Sequence, residues 1–434
     1  MNIHGFTLIV LFIVTNSLKI PFKKEKMEYL DNLYPFIEMI SNYMIVEISI
    51  GSPPQKFKVN IEFFGSSLWL MAPNCEDLVN YQSPSQIPFH YEKSSSYKKH
   101  PDNEIYTFNT NRYIKAYRAI DILQNENFSI KNYDFFMTTR FTDLSINSGI
   151  LGLDITDAKF GNIKANGFLE QLKVNNVINK SVFYFDFDRE NKNNGNLVIG
   201  EVPIEDKNHK YVKDSVKDSR WILRFDSVIY GKDKIILPMQ TVRFKIELGI
   251  IVGPESYFNF ILKDFFDQYI KNSQCDYKEV IGTNLNMFTC KANIVDNRFY
   301  DSFPKLEFFF KGKSIVFTSR ELFVKNKIGD EMAFIVYFSK TSSIFSQNEW
   351  TVGEQFLKKA TFIFDADDRT VGIYYTIEER TTNYIFYFAI ALLITSILLY
   401  LIYKVLYKHR VHRRKKENRT KGLLPQEEND IELQ

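Results

Sequence analysis

The chain has 434 residues, 45% of them apolar and 25% charged, with a formal net charge of +3. The apolar share supports a sizeable core and excludes a disordered chain, while the charge balance excludes a general nucleic-acid binder, which carries a basic excess over a whole domain. Three cysteines without a CxxC exclude zinc ribbons and thioredoxin-like redox chemistry, and six histidines without an HExxH leave no reason to expect a metal or other cofactor.

At the start, residues 6–14 (FTLIVLFIV) form an apolar run followed by Thr15, Asn16 and Ser17. Residues 1–17 therefore read as a secretory signal peptide, although no Lys or Arg precedes the run. The body that follows is rich in aromatics, with 40 Phe and 25 Tyr, residues that suit pleated, half-buried strands. Short β-like runs occur at 43–50, 57–63, 181–187, 197–199, 222–230, 305–310, 315–317, 333–338 and 360–364, punctuated by Gly, Asn, Asp and Pro. Helical patterns are few, at 167–174 and 257–271. Many strands and few helices over such a length predict an all-β protein, in two lobes if the strands divide evenly.

Near the other end, residues 384–403 (YIFYFAIALLITSILLYLIY) hold no charge. Twenty helical residues span about 30 Å, the thickness of the bilayer core. Tyr384 and Phe386 mark one interface, and Tyr400 and Tyr403 the other. Lys404, Lys408, Arg410, Arg413, Arg414, Lys415 and Lys416 follow directly. This basic flank predicts a transmembrane helix with the tail, residues 404–434, in the cytosol. The expected protein is a type I single-pass membrane protein of the secretory pathway or cell surface.

The order of short motifs in the body carries a resemblance. Residues 41–71, SNYMIVEISIGSPPQKFKVNIEFFGSSLWLM, are followed by SGILGLDI at 148–155, GNLVIGE at 195–201, WILRFDSVIYG at 221–231, VGPESYFNFI at 252–261 and WTVGEQFLKKATFIFDADDRTVGI at 350–373. This series resembles the pepsin-like aspartic protease family. The resemblance implies a two-lobed β fold, with a first lobe over 41–200 and a second over 201–380. Residues 18–40 resemble the start of the family's basic prosegment but are short for one that fills the cleft.

The family's mechanism implies two Asp carboxylates, one per lobe, each in a D-[TS]-G loop and sharing a proton. No D-[TS]-G occurs in this chain. Counting ungapped to Trp69, the first catalytic position falls on Glu62, with Phe63 and Phe64 for the Thr and Gly; aligning Gly65 instead moves it to Phe63. In the second loop, Glu247-Leu248-Gly249 stands where D-T-G is expected, in a loop that reads as shorter than the family's. Glu is one methylene longer than Asp, and Phe63 and Leu248 cannot brace the loops by hydrogen bonds. The flap hairpin matches 104–123, which contains no Gly, with Tyr106 and Phe108 as flap candidates beside Tyr113.

Cys275 and Cys290 flank a segment matching the family's second-lobe disulfide loop, so the resemblance implies their pairing. Cys75 has no such partner and is either buried or an intermolecular thiol. Asn127-Phe-Ser and Asn179-Lys-Ser are N-glycosylation sequons. The expected function is a membrane-anchored, catalytically inactive pepsin-like protein that binds a polypeptide. The alternative is an active aspartic endopeptidase with a divergent Glu-containing dyad.

Overall fold

The computed structural model describes residues 17–25, 43–63, 65–76, 86–101, 105–109, 112–141, 148–155, 158–160, 163–205, 209–216, 220–231, 235–280, 285–325, 330–339, 348–376 and 384–421. The proposed leader lies outside them except for Ser17. The chain separates into two units, residues 1–375 and 376–434.

The first unit is built on two large sheets, of 14 and 11 strands, as expected for an all-β, two-lobed body. Its strands follow period-two patterning. In Gln55–Glu62, Phe57, Val59 and Ile61 are buried while Lys56 and Lys58 are exposed. The first sheet is not confined to the first half of the chain. Val182–Phe187 pairs antiparallel with Thr361–Asp365, which pairs with Thr370–Thr376, and His209–Ser215 completes that edge. Strands from both halves of the body thus share one sheet.

Leu18–Glu25 also belongs to it. This strand pairs antiparallel with Asn194–Ile199 on one side and Tyr43–Ile50 on the other. Leu18, Ile20 and Phe22 point into the core. Burying each contributes about 1.5–3 kcal/mol. Phe22 meets Phe185 and Phe187 edge-to-face at 5.9 and 5.4 Å. Leu18–Glu25, the described part of the region that resembles a prosegment, is therefore an interior strand of the sheet.

The two sheets repeat one pairing pattern. In the first, Gly149–Gly152 lies parallel to Gln55–Glu62 and antiparallel to Leu68–Met71, which runs parallel to Ser129–Phe141. In the second, Glu349–Val352 lies parallel to Ile235–Phe244 and antiparallel to Ile251–Gly253, which runs parallel to Val336–Ser339. Each pattern leaves one loop at its centre, residues 63–67 in the first sheet and 245–250 in the second.

In the second unit, Tyr384–Lys421 is one helix of 38 residues. At 1.5 Å per residue it is about 57 Å long. Among the described residues it is the one helix long and apolar enough to cross a membrane, by length and composition. Its apolar side chains from Ile390 to Tyr403 are exposed, which suits contact with lipid rather than water.

Candidate functional site

The first loop is tied down by backbone bonds from the residues after Leu151. Gly152 N donates to Ser67 O at 2.9 Å, Leu153 N to Glu62 O at 2.9 Å, and Asp154 N to Gly65 O at 2.9 Å. Gly65 has φ of +66°, a left-handed conformation that glycine adopts without strain. Glu62 ends its strand opposite Gly152 and is 0% exposed. The next side chain, Phe63, packs against Phe183, Trp221 and Phe364 at 6.0, 6.3 and 5.1 Å between ring centroids. Phe183 and Phe364 are direct partners across the shared sheet, and Trp221 donates its indole N–H to Leu153 O at 2.7 Å. An aromatic cluster thus occupies the space beside the first loop. Phe64 lies outside the described residues.

The pairing registers match the two loops residue by residue. Leu151 is paired with Ile61 on its parallel side and Leu68 on its antiparallel side. Val352 is paired with Phe244 and Ile251 in the same two senses. Ile61 therefore corresponds to Phe244, and Leu68 to Ile251. The interval from Ile61 to Leu68 equals that from Phe244 to Ile251, so the expected shortening of the second is absent. The counterpart of Glu62 is Lys245, and Glu247 stands two residues beyond it. Anchoring the alignment on Val252-Gly253-Pro254 instead of on a carboxylate would have revealed this.

The second loop has its own fastening. Lys245 N donates to Val352 O at 2.8 Å, Leu248 N to Lys245 O at 3.0 Å and Glu354 N to Leu248 O at 2.8 Å. Gly353 is required here, because a Cβ on it would lie 1.8 Å from Leu248 O. Glu354, 1% exposed, forms ion pairs with Lys358 and, at 3.2 Å, with Lys24. Lys24 comes from Leu18–Glu25, so that strand is linked to the second loop.

Sequence reasoning also missed Asp154, which follows the LGL of SGILGLDI. Burial pushes its carboxyl up to about 7. The hydrogen bond that Ile155 N donates to it at 2.8 Å and the charges of Arg220 and Arg243 pull it down, and the charge of Glu247 pushes it further up. Arg243 is engaged by Glu349 at 2.7 Å. Glu247 is half-buried, and its Oε2 is shut off from solvent without a hydrogen bond among the described residues. Glu62 and Glu247 are not counterparts, whereas the charge of Glu247 adds to what raises Asp154.

The flap segment forms a hairpin, Ile105–Asn109 with Arg112–Gln124, in which Tyr106 is opposite Lys115 and Phe108 opposite Tyr113. It does so without glycine; the side chains of Tyr106 and Phe108 lie outside the described residues. Cys275 and Cys290 form a disulfide between directly opposed residues of Cys275–Glu279 and Leu285–Lys291. Cys75 is buried. Asn127 is exposed in the turn before Ser129–Phe141, and Asn179 is exposed before Val182–Phe187. Among the described residues no group of three or more His, Cys, Asp or Glu side chains is arranged to hold a metal ion.

Residues 42–375 match the eukaryotic aspartyl protease family. The chain belongs to that family. It is 31% identical to plasmepsin VIII of Plasmodium berghei over 170 residues, a match spanning 37% of this chain and 43% of that protein. Longer matches join it to an acid protease of Saccharomycopsis fibuligera, 22% identical over 76% of this chain and 80% of the relative. Pepsin B of the dog is 21% identical over 78% of this chain and 82% of its own length. As an aspartyl protease family member, the chain pairs a pepsin-like body with an apolar C-terminal helix.

Proposed function

We propose that this protein is a membrane-anchored pepsin-like binding protein that holds a polypeptide without hydrolysing it. The observation that carries the reading is Lys245 as the counterpart of Glu62. Two like carboxylates share a proton because both cannot ionise at close range. A Lys at the second of the two equivalent positions leaves no second carboxylate there to share a proton with Glu62. The full burial of Glu62 supports the same reading, since an attacking water has no access to a carboxylate closed to solvent. The polypeptide class of ligand follows from the family. The apolar helix supports anchoring, in the secretory pathway or at the cell surface, with the basic tail cytosolic.

The test is to incubate the detergent-solubilised full chain with a quenched peptide library from about pH 3 to 7. Binding and cleavage are measured in the same samples. Retention of a peptide subset without turnover is expected. Pepstatin-sensitive turnover in acid would overturn the proposal.

One observation favours a second reading, an endopeptidase with a divergent dyad. Burial raises Asp154 towards neutrality, and the charge of Glu247, from the second loop, adds to that rise. If turnover is found, Asp154→Asn and Glu247→Gln should each abolish it under this reading. Under the first there is no turnover to lose.

A further inference from the structure

The helix Tyr384–Lys421 continues without a break beyond its apolar stretch into a cationic segment. Residues 404–416 contain seven Lys and Arg, two His and no acid. The whole chain has a net charge of only +3, so everything outside this segment is net negative. The basic character of the protein is therefore concentrated on this one part of the helix.

The charges surround the helix. At 3.6 residues per turn, Lys404, Lys408 and Lys415 lie along one side and Arg413 lies opposite. Arg410 and Arg414 lie on one flank and Lys416 on the other. All are exposed. Val405, Leu406, Tyr407 and Val411 are scattered between them, so the segment has no apolar face on which to lie flat in an interface. Tyr403 and Tyr407, one turn apart at the start of the segment, stack at 6.2 Å between centroids. Tyr rings of this kind sit at headgroup level.

We propose that residues 404–416 form a collar that binds anionic phospholipid headgroups of the membrane crossed by the preceding helix. The proposal rests on that helix spanning a membrane and is independent of whether the body cleaves peptides. The segment rises about 20 Å along the helix. The field of a charged surface falls off over about 8–10 Å at physiological salt. Its inner half therefore lies within the field, whichever way each side chain points. Headgroups are the anions that continuity of the helix brings within reach. A cation facing every direction gathers them from all sides.

The experiment uses the full chain in bilayers containing spin-labelled phosphatidylserine or phosphatidylcholine. The motionally restricted lipid is measured by electron paramagnetic resonance. At low salt, phosphatidylserine should associate about threefold more strongly than phosphatidylcholine. At about 1 M salt the two should become equal. A variant with Arg410→Gln, Arg413→Gln, Arg414→Gln, Lys415→Gln and Lys416→Gln keeps Lys404 and Lys408 as the anchor and should lose the preference. Equal association of the two lipids with the unaltered chain at low salt overturns the proposal. So does a preference that survives both high salt and the five substitutions. Should the variant fail to incorporate, the salt series on the unaltered chain decides.

Discussion

Phe63 meets Phe364 edge-to-face, with ring centroids 5.1 Å apart and planes at 71°. The contact joins the first loop to Thr361–Asp365, a strand from the far end of the body. The side chain that follows Glu62 is therefore a packing element, in a position where its family carries a hydroxyl. Phe63→Thr should destabilise the fold by about 2–4 kcal/mol, through lost apolar contact and lost aromatic pairs. Denaturant unfolding reads this directly. A variant as stable as the parent would show that the cluster holds without it.

Replacing the two glutamates should not create a protease. Glu62→Asp with Glu247→Asp leaves Lys245 at the position equivalent to residue 62 and Phe63 in the aromatic cluster. Peptide turnover by the double variant should stay at background. The register calls for Asp-Thr-Gly at 62–64 and at 245–247, which requires Lys245→Asp, Ile246→Thr and Glu247→Gly in the second loop. Turnover by the simple double variant would mean that Glu247, not Lys245, faces the first carboxylate.

Stability should depend on Asp154 in a definite direction. Its folded-state pKa is raised from 3.8 to about 7, so the folded protein holds the proton more tightly than the unfolded chain. The resulting stabilisation is complete below 3.8 and is lost as pH rises through about 7. At 1.36 kcal/mol per unit, its upper bound is about 4 kcal/mol. Asp154→Asn should flatten this part of the stability profile. Glu247→Gln should shift the profile to lower pH, because the Glu247 charge opposes ionisation of Asp154. Unfolding midpoints across this range check both outcomes, and an unchanged profile in Asp154→Asn would assign the dependence to other groups.

Removing the disulfide with Cys275→Ser and Cys290→Ser should cost about 3 kcal/mol, the chain-entropy value for a closed loop of this size. The loss should appear in the unfolding free energy under non-reducing conditions. Under reducing conditions variant and parent should converge.

Much of the fold was readable because strand patterning is local. Alternating burial from Lys56 to Val59 and the helical run ending at Val174 follow from neighbours in sequence. The second loop was misread because chemistry was used as the anchor: Glu247 resembles an Asp, while the position is set by the pairing of Val352 with Phe244 and Ile251. Asp154 was missed because an acid after an apolar run reads as a solvated strand end. Its raised pKa comes from burial first and then from Glu247, against the opposing pull of Arg220 and Arg243, and all three of these charges are distant in sequence. The link between Lys24 and Glu354 is likewise non-local, and no spacing rule announces it.

The interior position of Leu18–Glu25 also fixes an order of events during synthesis. This strand is the first described one to leave the ribosome, yet its neighbour Asn194–Ile199 follows far behind. At about 5–20 residues per second, it waits on the order of ten seconds or more for that partner. The same sheet closes only with Thr361–Asp365 and Thr370–Thr376, the last described strands before the apolar helix. Nascent chains stalled before residue 361 should therefore expose Phe183 and Phe63 and recruit chaperones, whereas chains released after residue 376 can bury them.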